Sequence, residues 1–150
     1  AMTRTGVVGV LATSGTLKAD KYRDTKGRHA EDVTVVEHIG QGFVELVENG
    51  NTTGPEAESV VMESLEPLLD AGADTIVLGC THYPFLRSVI ERIAGDGVEV
   101  VDSSEAVARR VGVLLDENGL REETTSPEYR FLTFADEEYA EGLRRKAFKK

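Results

Sequence analysis

The chain has one cysteine, four prolines and no tryptophan in 150 residues. A single cysteine excludes an internal disulfide framework and points to a reducing compartment, the cytoplasm. Cations are also in short supply. Lys and Arg number 17 against 27 Asp and Glu, a net charge of −10. That balance disfavours nonspecific binding to nucleic acid or to anionic membranes, and neither is expected as a partner. The basic tail, LRRKAFKK at 143–150, is a local exception. It fits cations near the C-terminal end of a helix, where the dipole favours them. No apolar run approaches the length of a membrane span, and no signal peptide opens the chain. Ala1 ahead of Met2 points to Met2 as the start of the natural sequence.

What remains is ordinary globular composition arranged as alternating elements. Residues 6–13, GVVGVLAT, form a continuous apolar run closed by polar residues, the pattern of a buried parallel strand. GTLKADKYRDT then shows helical spacing, with Leu17, Ala19 and Tyr22 as inward positions. EDVTVVEHI is a second strand, and a short helix over 41–48 stops at Asn49-Gly50. The next helix opens at Pro55 and carries Val60, Val61, Leu65, Leu68 and Leu69 as core positions. Pro67 is expected to kink or divide it. TIVLG and GVEVVD read as further strands, each followed by a helix. Asp102 with Glu105 fits a capping box at the start of the second of these helices. YRFLTFAD alternates as a last strand, and EEYAEGLRRKAFKK closes as a helix. Strand and helix in alternation predict an α/β fold, a parallel sheet with helices on both faces. Ligands bind such sheets at the carboxyl ends of the strands, where ATSGT and GCTHYP would share one rim.

Cys80 lies just past the third strand, in DTIVLGCTHYPFLRSVI. Pro84 suits the first turn of the next helix, which would place the N–H groups of Thr81 and His82 at a helix start. Such a start attracts a carboxylate or phosphate and favours a thiolate over a thiol. A thiolate here is a nucleophile, a base or a metal ligand; a small cysteine filling space under the sheet rim fits the same residue. Cys80 and His82 alone supply two metal ligands, too few for a zinc site, so no metal is expected. A Cys/His hydrolase dyad usually takes its base from elsewhere in the fold. Neither ATSGT nor GVVGVLAT carries a phosphate-loop or dinucleotide fingerprint, so no cofactor is expected.

GCTHYPFL resembles the second catalytic-cysteine motif of the glutamate racemase family, cofactor-independent enzymes of bacterial cell-wall synthesis. VGVLATSGTLKADKY is similar to the segment that opens the family's second lobe, FVELVENG to its PLVE-G element, and VVDSSEAVA to the strand and helix after the catalytic motif. The resemblance implies that two cysteines flank the α-carbon of glutamate, one removing the α-proton and the other returning a proton on the opposite face. Carried over, Cys80 is the acid or base on one face, with His82 assisting the thiol and binding substrate. Glu48 matches the acidic residue supporting that side. Thr81, Thr13, Ser14 and Thr16 lie where the family contacts its substrate. His29 and His38 match nothing and are expected on the surface or in packing.

The departures are large. The family's first lobe, which carries the other cysteine and an Asp-Ser-Gly loop, precedes the equivalent of Val8, and this chain has neither. Residues 39–41 are IGQ where the family has Ala-Cys-Pro. The resemblance therefore implies half an active site. Residues 1–102 would be the second lobe, and residues 103–150 would complete the missing first lobe. Such a chain is expected to be inactive alone and to dimerise or oligomerise through its exposed C-terminal segment. A stand-alone module that binds an acidic amino acid or a protein, and a racemase of another acid such as aspartate, are the competing readings.

Overall fold

The computed structural model describes residues 3–122, 126, 128, 130, 132, 134 and 136–147. It divides into two compact units, Ala1–Val111 and Gly112–Lys150. In the first unit the strands are β1 (Val7–Ala12), β2 (Thr34–Ile39), β3 (Thr75–Leu78) and β4 (Glu99–Asp102). They form one sheet in the order β2-β1-β3-β4, with every neighbouring pair parallel. The helices between them are α1 (Ser14–Lys18), α2 (Asp20–His29), α3 (Phe43–Glu48), α4 (Pro55–Asp70) and α5 (Arg87–Ala94), followed by α6 (Ser104–Glu117). This is the expected α/β fold.

The core lies between one face of the sheet and helices α3, α4 and α5. Leu11, Ile76, Leu78 and Val100 from the strands meet Phe43, Val61, Leu65, Leu68, Val89 and Ile90 from the helices. Val61, Leu65 and Leu68 are fully buried as their spacing predicts, while Val60 and Leu69 pack at the edge of the cluster. Gly9 allows the close approach of α4: a Cβ there would lie 2.7 Å from Ile76 Cδ1 and 3.0 Å from Leu68 Cδ1. Helix α2 covers the opposite face at the β2 edge. Glu37, in register with Val10, accepts from Tyr22 Oη at 2.9 Å and from Lys26 Nζ at 2.6 Å.

Three local expectations are corrected. The segment after β1 is two helices, because Ala19 is extended (φ −69°, ψ 134°) and exposed between them. Pro67 does not divide α4, which runs unbroken from Pro55 to Asp70. The N–H that proline lacks would have served the carbonyl of Glu63, an exposed residue whose carbonyl can turn to water, while Leu65 and Leu68 bury on either side. Asp102 is not in a reciprocal box with Glu105. It accepts from Ser104 N–H at 2.7 Å and from Arg87, whereas Glu105 pairs with Arg109 one turn on. The residues after Cys80 enter a four-residue 3-10 turn, Tyr83–Leu86, before α5 begins at Arg87.

The second unit contains helix α7 (Glu137–Ala147), whose Arg144 and Arg145 both pair with Glu141. Of the segment expected as a last strand, Tyr129, Phe131, Thr133 and Ala135 lie outside the described residues. Arg130, Leu132, Phe134 and Asp136 belong to no strand, and Leu132 and Phe134 are exposed.

Asp74, buried just before β3, ties the start of the chain to the sheet. Its carboxylate accepts from Thr3 Oγ1 at 2.5 Å and from the N–H groups of Arg4 and Thr5 at 2.6 and 3.0 Å. The Thr3 bond first, with the two N–H groups and Thr75 behind it, holds this carboxyl well below the usual carboxylate range. A carboxyl with a lowered folded-state pKa adds stability above its unfolded value, about 3.9, and loses it as pH falls through the folded value. Asp74→Asn is therefore expected to lower the melting temperature at pH 7 and to flatten its decline below about pH 4. Thermal melts from pH 7 to 2 check this; curves for the two proteins that run parallel would show that Asp74 is not the titrating anchor.

Candidate active site

Strands β1 and β3 are parallel neighbours, so both leave the sheet on the same side. Gly79 N–H donates to Leu11 O at 2.8 Å and fixes the two exits against each other. The β1 exit is built by Thr13. Its Oγ1 caps α1 by accepting from Thr16 N–H at 3.3 Å and lies 3.0 Å from Thr16 Oγ1. Thr13 and Thr16 are half-buried and Ser14 is exposed. The β3 exit carries Cys80, half-buried, and Thr81, exposed.

His82 connects two elements. Its Nδ1 lies 4.0 Å from Cys80 Sγ, and its Nε2 lies 3.7 Å from Oε1 of Glu48 at the C-terminal end of α3. Carboxylate, imidazole and thiol thus stand in series, with the thiol facing the rim. The order is that of a proton relay, in which the ring gives or takes a proton at the sulfur and the carboxylate steadies the imidazolium. The helix start expected here takes 3-10 form: His82 is its N-cap, Pro84 lies in its first turn, and it runs on into α5 at Arg87.

The loop is held from beneath by Tyr83. Its side chain is fully buried, its ring meets Phe43 edge-on with centroids 4.9 Å apart, and its hydroxyl donates to Gly40 O at 3.3 Å. Burial, with the charge of Cys80 adding to it, pushes the phenol up to about 12, so it remains a donor at neutral pH.

A cleft of about 380 Å³ opens beside the thiol, lined by Gly79, Cys80, Thr81 and Pro84 on one side and by Asp102, Ser103 and Ser104 on the other. The last three were read only as a helix start, so their place in the cleft was missed. The signal was available: β4 also ends on this rim, and polar residues at the carboxyl end of a parallel strand are candidates for ligand contact. Asp102 itself is committed. Ser104 first, then the Arg87 guanidinium at 2.5 Å, hold its carboxyl down to about 2. Glu48, His82, Thr13, Ser14 and Thr16 do not line this cleft. His29 is exposed at the end of α2, and His38 lies half-buried on β2 with its Nδ1 unpartnered. Among the described residues no three His, Cys, Asp or Glu side chains converge as metal ligands.

Known proteins share this sequence and this fold. The glutamate racemase of Pseudomonas putida (strain GB-1) is 46% identical over 138 residues, which are 92% of this chain and 52% of that protein. The crystal structure of glutamate racemase isoform RacE1 from Bacillus anthracis superposes with a TM-score of 0.84 at 28% identity, covering 97% of this chain and 55% of that one. That of the Francisella tularensis enzyme, in complex with D-glutamate, gives 0.76 at 29% identity, covering 92% and 53%. The chain spans about half the length of the curated relatives it matches. The Asp/Glu/Hydantoin racemase family model matches residues 1–111, the part that holds the sheet, the Cys80 loop and the cleft, and the chain belongs to that family.

Proposed function

We propose that this chain supplies one face of a glutamate racemase active site. Residues 1–102 act as the second lobe, and residues 103–150 complete a first lobe that carries the other thiol. The observation that carries the reading is the series Glu48, His82, Cys80 on the strand-end rim, with Cys80 lining a cleft. The α-proton of an amino acid is weakly acidic, and removing it needs a base within reach and fixed donors for the carboxylates. Cys80 as thiolate takes the proton from one face of the α-carbon; as thiol it returns one to that face. His82 moves protons to and from the sulfur, and Glu48 holds the ring. Thr81 with Thr13, Ser14 and Thr16 offers hydroxyl and backbone donors to the substrate carboxylates. The product, D-glutamate, would serve peptidoglycan synthesis and cell shape. The lone cysteine fits a cytoplasmic enzyme that needs no cofactor.

Circular dichroism of D-glutamate over hours tests the reading. The chain alone is expected to leave the signal unchanged; mixed with or joined to the first lobe of a relative, it is expected to racemise. Turnover by the isolated chain that is lost in Cys80→Ala would mean that one thiol suffices. Turnover of aspartate but not glutamate would move the assignment to another acidic amino acid, and binding of either without turnover in the joined protein would favour a binding module.

The isolated chain should also self-associate. Val107, Val111 and Leu114 recur at helical spacing along α6, and all three are exposed, Val107 at 56%. Leaving a large apolar side chain in water forgoes roughly 1.5–3 kcal/mol of burial. A symmetric contact between two copies buries such a stripe on both. Light scattering across a dilution series is expected to show a dimer that dissociates on dilution. A monomer at every concentration would remove the stripe as a self-contact.

A further inference from the structure

We propose that Tyr83 is a positioning residue for the Cys80 thiol, its hydroxyl pinning the Cys80–His82 loop to the turn that launches α3 and so setting the spacing of Glu48, His82 and Cys80. The inference deepens the racemase reading and rests on it for its meaning in catalysis, but its geometry stands without it. Two of the three members of the series sit on separate elements: Glu48 ends α3, and His82 belongs to the loop after β3. Their 3.7 Å approach needs something to hold those elements together, because a contact between half-exposed side chains is worth little by itself. Tyr83 is the residue next to His82, and it is the one that reaches across. Its hydroxyl meets the Gly40 carbonyl three residues before α3 begins, and its ring abuts Phe43, the first residue of α3.

The fit depends on Gly40. A Cβ on residue 40 would lie 2.7 Å from Tyr83 Cζ and 2.7 Å from its Oη, so glycine is what lets the ring come this close. The Gly40 carbonyl also accepts from Phe43 N–H at 3.3 Å. Removing the hydroxyl therefore leaves the carbonyl a partner, and Tyr83→Phe keeps the ring and its packing while deleting one bond. That substitution separates position from fold.

The test uses the chain as it is and needs no racemisation. The rate of iodoacetamide labelling at Cys80 is followed from pH 6 to 10 in the unmodified chain and in Tyr83→Phe, with melting temperatures for both. Val89→Ala, a buried change further along in α5, controls for general loosening. Tyr83→Phe is expected to slow labelling at pH 7 by about threefold to tenfold, the worth of one hydrogen bond, and to move the pH–rate profile to higher pH as His82 loses its placing. Val89→Ala is expected to lower the melting temperature and leave the profile where it was. A Tyr83→Phe profile that superposes on the original overturns the proposal, as does a Val89→Ala profile displaced by the same amount. A Tyr83→Phe chain that fails to fold overturns it too, since the hydroxyl would then be structural. Were the racemase reading to fail in the dichroism assay, the labelling result would still stand.

Discussion

Cys80→Ala, made in the chain joined to a complementary lobe, will abolish racemisation in both directions while leaving hydrogen exchange on one enantiomer. In the proposed reaction each direction uses one thiol as base and the other as acid. Removing Cys80 therefore removes the base from one direction and the acid from the other, and neither can invert the α-carbon. General acid–base groups contribute about 10²–10⁴-fold, so a loss of at least that order is expected in both kcat values. The remaining thiolate still faces one hydrogen of one enantiomer. It can remove that hydrogen and return a deuteron from solvent to the same face. The outcome is asymmetric washout without inversion, read by mass spectrometry in heavy water beside the dichroism trace. Racemisation at the original rate would take Cys80 out of the reaction. Loss of exchange from both enantiomers would show that Cys80 builds the site instead of acting on one face of it.

The strands and the motif loop could be read from the sequence because their information is local. A parallel strand covered on both sides is a run of apolar residues, and 6–13 and 75–78 are such runs. The apolar spacing of α4 likewise named Val61, Leu65 and Leu68 as core. What escaped was decided at long range. Asp102 looks like a capping residue until Arg87, far along the chain, is brought against it through the pairing of β3 with β4. The meeting of Glu48 with His82 depends on α3 and the β3 exit reaching one place, and only the family resemblance pointed to Glu48. Pro67 does not divide α4, because its local penalty is set against burial of its neighbours in a core that the sequence does not display. The four-residue turn after His82 escaped because Pro84 is compatible with the first turn of either helix type.

Leu68→Ala is expected to be the most damaging of the single truncations in α4, with a loss of about 2–5 kcal/mol. The side chain is fully buried over β1, and the absence of a side chain at Gly9 is what lets it sit so near the sheet. The truncation removes atoms wedged between a helix and a strand. Neither can close the gap easily: α4 is held on its other side by α5, and β1 is hydrogen-bonded to β2 and β3. Poor relaxation places a site at the costly end of the range for such changes. The effect reaches the active rim as well, because β1 runs directly into Thr13 and, through the Leu11 carbonyl, positions Gly79 just before Cys80. Met62 provides the internal comparison: it lies on the same helix but is half-exposed, and Met62→Ala should stay within about 0.5 kcal/mol of the parent. Urea titrations of the two variants, with the slope compared as well as the midpoint, decide the matter. Equal losses would mean that α4 does not press on β1 at Gly9. A large loss for Leu68→Ala together with slower labelling of Cys80 would tie the packing beneath β1 to the thiol at its rim.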